Sequence, residues 1–465
     1  MDANIATLEG ARVTVMGLGR FGGGASVTRW LVERGATVLL TDIEPPDKLQ
    51  ASLASIDDLV RSGRVELRLG GHNVSDFTTV DLVVANPAVP KPWDNRFLRA
   101  AWAASIPVTT EIGLTIAHLP SRSRVVGVTG SAGKSTTSSM IHHILQCCGR
   151  DAVFGGNIGG SLLPSLPQIT PQTVVVLELS SAMTCWLGGL AQVSPASLSA
   201  AAPAAGWSPD VAVVTNLAPN HLDWHGDVAH YRRSKQELLR SQQQGDVAVL
   251  PTGSETAEWP TPPGVLRVVP RGEVTGLEIP GRHNRHNAIV ALEAALQTDP
   301  TLDRAAAEAA VRRFPGLPHR LQLAAAIRKD GGVVRCFNDS KCTTPEAALL
   351  AIAAFEEPGE VGARKVHLIA GGYDKGSDLS AIGRLADKLA ALYTLGKTGP
   401  KIAEASAGRA VKCENVEQAT RAAIAAAKAG DVILLSPACA SWDQFENYEK
   451  RGELFIRLVR EAASC

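Results

Sequence analysis

Short apolar runs alternate with amphipathic stretches along the whole chain. The first run, Arg12 to Met16, leads into the glycine turn GLGRFGGG, a helical stretch to Arg34 that Gly35 ends, and a second run, ATVLLTD. That order predicts a strand–turn–helix–strand unit of the nucleotide-binding kind. A second unit begins at Arg124, where VVGVTG passes into SAGKSTTSSMIHHILQCC and stops at Gly149, with TVVVLELS and VAVVTNL as later strands. Runs rich in β-branched residues, separated by helices, predict parallel sheets. Beyond the punctuated segment PGLPHR, the runs VVRCFNDSK, KVHLIAGGYDKGSD, ALYTLGKTG and GDVILLSPACAS each end in a polar or glycine turn, which predicts a third α/β domain. The Ala/Ser/Pro-rich stretch from Leu190 to Pro209 reads as a surface loop or inserted turn, not a repeat, and carries no chemistry.

Length agrees with this count, since 465 residues make about three domains of roughly 150 residues. With 45% hydrophobic and 20% charged residues, the chain can bury real cores, so disorder is excluded as the main state. Lys+Arg and Asp+Glu are 46 each, so no global field draws the chain to nucleic acid or an anionic membrane, and neither is an expected partner. Eight cysteines without a CxxC pair or zinc-ligand spacing fit a reduced compartment. The start, MDANIATLEGARV, lacks the basic and apolar regions of an export signal, and no run approaches the roughly 18 apolar residues of a membrane span. A cytoplasmic monomer is expected.

The strongest chemical signal is GVTGSAGKST, Gly127 to Thr136, where a strand gives way to a helix. Small residues at Gly130, Ser131, Ala132 and Gly133 let backbone N–H groups face a phosphate, Lys134 can reach the outer phosphates, and Ser135 or Thr136 can hold Mg²⁺. The pattern is not a strict GxxxxGK[ST], because Val128 stands five before Gly133. Glu178 closes the apolar run VVVLE, where strand ends open on a nucleotide crevice. It suits a metal ligand better than a solvent-facing strand end, since an acid after five apolar residues is costly unless paired or coordinating. His221, Asp223 and His225 follow another strand and can reach the same crevice, although His225 by itself reads as a loop residue. Asn284 and Asn287 are three apart at the start of a helix and share a face suited to a base or ribose; Asn284 serves equally well as an N-cap. GLGRFG, Gly17 to Gly22, with Asp42 20 residues after Gly22, fits the dinucleotide fingerprint, and the same turn can hold a sugar nucleotide.

Together these motifs resemble the Mur ligases, over nearly the whole chain. The resemblance rests on GSAGKST, GNIGG (156–160), LELSS (177–181), NHLDWHG to YRRSK, GRHNRHN, PHR (318–320), NDSK with Thr343, and SPACASWDQFENYEKRG. NDSK and SPACAS favour the branch that adds D-glutamate. The resemblance implies an α/β protein of three domains: a Rossmann-like N-terminal domain (1–112) for the UDP-sugar, a central P-loop parallel-sheet ATPase domain (113–316), and a Rossmann-like C-terminal domain (317–465) for the amino acid. It implies ATP, UDP-N-acetylmuramoyl-L-alanine and D-glutamate as substrates, an acyl-phosphate intermediate and Mg²⁺ as cofactor. Lys134, Glu178, His221 and Lys235 are then the catalytic set. Ser135, Glu178, His221 and a carbamylated Lys235 serve magnesium. The loop from Gly130 to Thr136, with Asn284, Asn287, Arg320 and Asp339, binds ATP. Gly17, Leu18, Gly19, Arg20, Asp42 and Asn157 take the UDP-sugar, and Lys341, Thr343, Lys375, Ser441 and Tyr448 the D-glutamate.

The chain departs from the family pattern at Asn220, where Asp is usual, at Ala182-Met183 in place of Phe-Gln, at Ile43 beside the uracil side, and at Tyr448, where Phe is common. A folylpolyglutamate-type or other Mur-type ligase shares the ATP motifs. A nicotinamide-dependent oxidoreductase leaves GKST and Glu178 without a role, and a non-catalytic nucleotide-binding protein would differ only in turnover.

Overall fold

The computed structural model describes residues 8–19, 22–198, 206–373 and 376–464. Among the described residues seventeen strands form three sheets. The first contains β1 (Arg12–Met16), β2 (Thr37–Asp42), β3 (Val65–Leu69), β4 (Leu82–Ala85) and β5 (Val108–Thr109), in the order β3-β2-β1-β4-β5. Every pairing is parallel, with Val13 opposite Val38 on one side and Leu82 on the other. Chain direction across the sheet reverses between β1 and β4. In such folds that is where a ligand crevice opens, beyond the strand C-termini.

The second sheet contains β6 (Val125–Thr129), β7 (Ala152–Gly156), β8 (Val174–Glu178), β9 (Val211–Val214), β10 (Val247–Val249) and β11 (Leu266–Val268), ordered β11-β10-β9-β6-β8-β7 and again parallel throughout. Strands β6, β8 and β9 are buried along their whole length. That explains their unbroken apolar spelling, because helices cover both faces of a parallel sheet. Neighbouring β8 and β9 flank β6, so the ends of these three strands meet at one edge.

The third sheet contains β12 (Gln322–Lys329), β13 (Gly332–Asn338), β14 (Val366–Gly371), β15 (Ala391–Leu395), β16 (Val411–Lys412) and β17 (Val432–Leu435), ordered β12-β13-β17-β14-β15-β16. Strand β12 pairs antiparallel with β13 and was not foreseen from its Ala-rich spelling; the other pairings are parallel. Apolar clusters cover both faces of this sheet.

The chain packs as two compact units, one of residues 1–272 with 289–310, the other of 273–288 with 311–465. Within the first, one hydrophobic cluster runs from Val13 and Leu40 of the first sheet through Ile112 and Leu163 to Leu177 and Ala212 of the second. No described helix is long and apolar enough to cross a membrane. Of the two forms expected from Leu190 to Pro209, surface loop or inserted turn, the described part takes the second. Leu190 packs with Cys185 and Trp224, Ala191 is buried, and Ser208 is fully buried, because short 3₁₀ turns fold the segment back onto the core. Residues 199–205 of that stretch lie outside the described residues.

Candidate active site

The turn after β6 leads into the helix Lys134–Cys147, whose N-cap, Gly133, has φ 79° and receives no side-chain cap. Its first-turn N–H groups are therefore open to an anion. Gly130 has φ 146°, and a Cβ there would run into Thr215 at the end of β9. That neighbouring segment holds the loop in shape. Asn216 accepts from the Ala132 N–H (2.9 Å) and donates to the Ala132 carbonyl (3.0 Å), while the Thr215 hydroxyl donates to the same carbonyl at 2.6 Å. Ser131 Oγ lies 2.7 Å from the Tyr231 hydroxyl and accepts from the Ala218 N–H at 2.8 Å. Thr215 and Asn216 were missed from sequence; their position after a strand end beside the loop was the available signal. Lys134 is half-buried, its ammonium 3.2 Å from the Ser131 carbonyl.

Across the same strand ends, Glu178 is completely buried. Its Oε1 accepts from Asn157 Nδ2 at 2.9 Å, and its Oε2 has no hydrogen-bond partner. The Asn157 N–H also donates to the Glu178 carbonyl at 2.8 Å, so Asn157 is fixed at both ends. Gly156 makes this possible, since a Cβ at its φ of 103° would strike the Glu178 backbone. Lys235, on the helix Val228–Arg240, is 1% exposed. Its ammonium donates to the Gly130 carbonyl at 2.7 Å and approaches Thr129 Oγ1 at 3.4 Å. Burial, reinforced by the charge of Lys134 and opposed by that of Glu178, holds its pKa well below the usual lysine value.

A cleft of ≈ 380 Å³ is lined by Gly130, Lys134, Asn157, His221 and Lys235 among others. His221 is exposed, at φ 51°, just before the short helix Leu222–His225. His225 ends that helix and is fully buried, so the loop position expected for it is overturned by its packing between Trp224, His230 and Tyr231. Among the described residues no three His, Cys, Asp or Glu side chains gather into a metal cage. The donor set that does exist is a buried carboxylate with an unspent oxygen beside a phosphate-type loop, which is what a magnesium ion shared with phosphates requires.

The first turn frames a second cleft of ≈ 380 Å³, lined by Gly17, Leu18, Gly19, Asn86 and Glu111. Asn86, Asn157 and Met183 border both clefts, so the two adjoin. Asp42 is buried; its Oδ2 accepts from the Gly19 N–H (3.0 Å) and its Oδ1 from the Glu44 N–H (2.9 Å). Arg20 lies outside the described residues. Glu111, which sequence reading passed over, accepts from Ser161 Oγ at 2.5 Å and Thr115 Oγ1 at 3.1 Å, and burial raises its pKa.

In the second unit, Asn284 and Asn287 sit on the helix Arg282–Thr298, both buried. The helix begins before Asn284, whose Nδ2 donates to the Pro280 carbonyl at 2.6 Å, so the N-cap alternative is excluded. Asp339, just after β13, accepts from Ser436 Oγ (2.7 Å) and the Leu321 N–H (3.2 Å); burial pushes its pKa up to about 6, partly offset by those donors and Arg320. Arg320 and Lys341 are exposed, Thr343 is half-buried and Ser441 is buried. The Lys341 ammonium lies 5.4 Å from the centre of the Tyr448 ring. Lys375 lies outside the described residues. Arg451, unremarked in the sequence, is 1% exposed and donates to the Ser340, Cys439 and Ala440 carbonyls and to Ser340 Oγ. It locks the turn after β13 to the turn after β17.

Comparison with known proteins follows the same division. Residues 128–261 match the Mur ligase middle domain and residues 319–439 the Mur ligase glutamate ligase domain. The chain is 36% identical to the UDP-N-acetylmuramoylalanine–D-glutamate ligase of Pelotomaculum thermopropionicum, across 96% of this chain and 97% of that one. It is 31% identical to the enzyme of the same name from Streptococcus pneumoniae, across 98% and 99%. The crystal structure of the UDP-N-acetylmuramate-alanine ligase MurC from Thermotoga maritima matches with a TM-score of 0.52 at 17% identity, over 97% of this chain and 100% of that one, a likeness of fold.

Proposed function

The chain belongs to the Mur ligase family, and from that premise we propose that it joins D-glutamate to UDP-N-acetylmuramoyl-L-alanine with ATP, a step in making peptidoglycan precursors. The observation that carries this reading is the convergence, beside the ends of β6 and β8, of Lys134, the unspent Glu178 oxygen and Lys235, whose ammonium reaches in from its helix to the Gly130 carbonyl.

A carboxylate is a poor electrophile and needs a leaving group before an amine can attack it. The substrate carboxylate attacks the γ-phosphorus of ATP, the bond to the β-phosphate oxygen breaks, and ADP leaves an acyl phosphate. The amine of D-glutamate then adds to the acyl carbon, and the tetrahedral adduct expels phosphate and loses a proton to give the amide. Lys134 stabilises charge on the transferring phosphoryl group, and the open amides of the loop seat the phosphates. Ser135, Glu178 and His221 would hold magnesium, which when bound neutralises phosphate charge and aligns donor and acceptor oxygens. Lys235, buried and inclined to be neutral, can add CO₂ through its nitrogen, releasing one proton and becoming an anionic oxygen donor. Asn157, bordering both clefts, orients Glu178 and reaches toward the acyl substrate.

In this reading Gly17, Leu18, Gly19, Arg20 and Asp42 take the UDP-sugar. Asn284, Asn287, Arg320 and Asp339 belong to the nucleotide, and Lys341, Thr343, Lys375, Ser441 and Tyr448 to D-glutamate. Domain limits near residues 112 and 316, a monomeric state and a cytoplasmic location complete it. The test is phosphate release from ATP and Mg²⁺ with UDP-N-acetylmuramoyl-L-alanine, comparing D-Glu, L-Glu, L-Lys and meso-diaminopimelate. Turnover should require D-Glu; equal rates with all four amines, or none, reject the proposal. Lys235→Ala should lose turnover and regain part of it with short carboxylates, whereas full activity in that variant rejects the metal-supporting role.

A further inference from the structure

Behind the cleft lies a chain of hydrogen bonds that the reaction above does not use. Ser181 Oγ is 2.9 Å from His225 Nε2, His225 Nδ1 is 3.0 Å from His230 Nδ1, and His230 Nε2 is 3.2 Å from the Val193 carbonyl. All three side chains are buried, and Ser181 also lines the cleft that holds Lys134 and Lys235.

The carbonyl at the far end fixes the direction of every proton. A carbonyl only accepts, so His230 Nε2 carries hydrogen. Burial lowers the pKa of His230, and it pushes that of His225 down to about 3, so both rings are neutral near pH 7. A neutral His230 with hydrogen on Nε2 presents a bare Nδ1, and His225 must donate to it from its own Nδ1. A second contact agrees: Ser234 Oγ gives its proton to the His230 carbonyl (2.8 Å) and so turns a lone pair toward His225 Nδ1 at 3.4 Å. His225 Nε2 is then the bare nitrogen, and the proton between it and Ser181 comes from the serine.

We infer that Ser181 is a dedicated hydrogen-bond acceptor in the cleft, its one proton turned inward to His225, and that it receives an N–H of the acyl substrate, the amide between the lactyl and alanyl groups. Among the described residues Ser181 Oγ has no hydrogen bond other than the one to His225. The relay sets polarity and does not take up the amine's proton, because a ring this hard to protonate is a poor base at pH 7. His225 and His230 are thus positioning residues that act through Ser181. The inference rests on the ligase reading, which supplies the acyl substrate.

Two measurements on the full-length protein test it. Long-range ¹H–¹⁵N correlation spectra of histidine-labelled protein should show His225 with hydrogen on Nδ1 only and His230 with hydrogen on Nε2 only. A proton on His225 Nε2 overturns the inference. Calorimetric binding of UDP-N-acetylmuramoyl-L-alanine, without ATP or amino acid, should weaken about tenfold in Ser181→Ala, the usual worth of one neutral hydrogen bond. The same variant should stay folded, with a modestly lower melting temperature because His225 Nε2 loses its donor, and keep its KM for ATP; Ser181→Thr should restore both binding and melting temperature. Equal binding by wild type and Ser181→Ala defeats the inference and leaves the ligase reading intact; no binding by wild type defeats both.

Discussion

The helices that follow β1 and β6 begin alike and are braced differently. Each has a left-handed glycine as its N-cap, Gly22 at φ 83° and Gly133 at φ 79°, and neither helix has a side-chain cap. Around the first turn an acid does the bracing: Asp42 accepts from the Gly19 N–H while Ser52 donates to the Gly19 carbonyl at 2.7 Å. At the second, the neutral amide of Asn216 does that work, and Lys134 lines the cleft beside it, with the Glu178 carboxylate buried behind. A carboxylate beside a turn repels a highly charged triphosphate and offers acceptors to sugar hydroxyls. A neutral brace beside the Lys134 ammonium does the reverse. In the proposed reading one kind of helix start serves two ligands, and the side chains behind it decide which.

The largest test of that contrast is Lys134→Ala, which should lower kcat for phosphate release about 10³-fold, the scale for losing one preorganised charge at a transition state. Retained turnover would show that loop amides suffice and break the distinction. Glu178→Gln keeps shape and the contact with Asn157 but removes the charge. Activity should fall about 10²-fold, with a raised Mg²⁺ requirement in titrations at fixed ATP.

Asp339 shows what a buried acid costs away from either turn. Its folded pKa of about 6 lies above the ordinary 3.8, so the folded state holds the proton more tightly. Its contribution to stability is most favourable below about pH 4 and declines as pH rises through 6. Asp339→Asn should be more stable than wild type by on the order of 2 kcal/mol at pH 7 and equal to it at pH 4 in denaturant titrations. The variant should lose activity all the same. The smallest effect is expected from Asp42→Asn, which keeps an acceptor for Gly19: KM for the UDP-sugar should rise about threefold to tenfold with KM for ATP unchanged. A matching rise for ATP would mean that the two turns do not divide the substrates.

What the sequence made legible was local. β1, β6, β8 and β9 announce themselves in consecutive apolar residues, and the glycine turns and Glu178 follow directly from strand ends. What stayed hidden depends on partners far along the chain. Asn216 acts on a residue 84 positions away, and Arg451 on oxygens of a turn 111 positions away. Neither side chain differs in sequence from an ordinary loop Asn or helix Arg. Strand β12, spelled QLAAAIRK, carries helix-forming alanines and takes extended form only because β13 pairs with it across a tight turn. His225 was misjudged because its neighbours Trp224 and His230 give no periodic signal of a buried cluster.

The hydrophobic cluster that passes without interruption from the first sheet to the second bears on how this enzyme can be taken apart. A fragment cut near residue 112 would leave both pieces with raw apolar faces, inviting precipitation of each alone. Split reporters, inserted tags and truncation series would fare better when they keep residues 8–272 together with 289–310, because those segments are built as a single article of manufacture with two addresses on it.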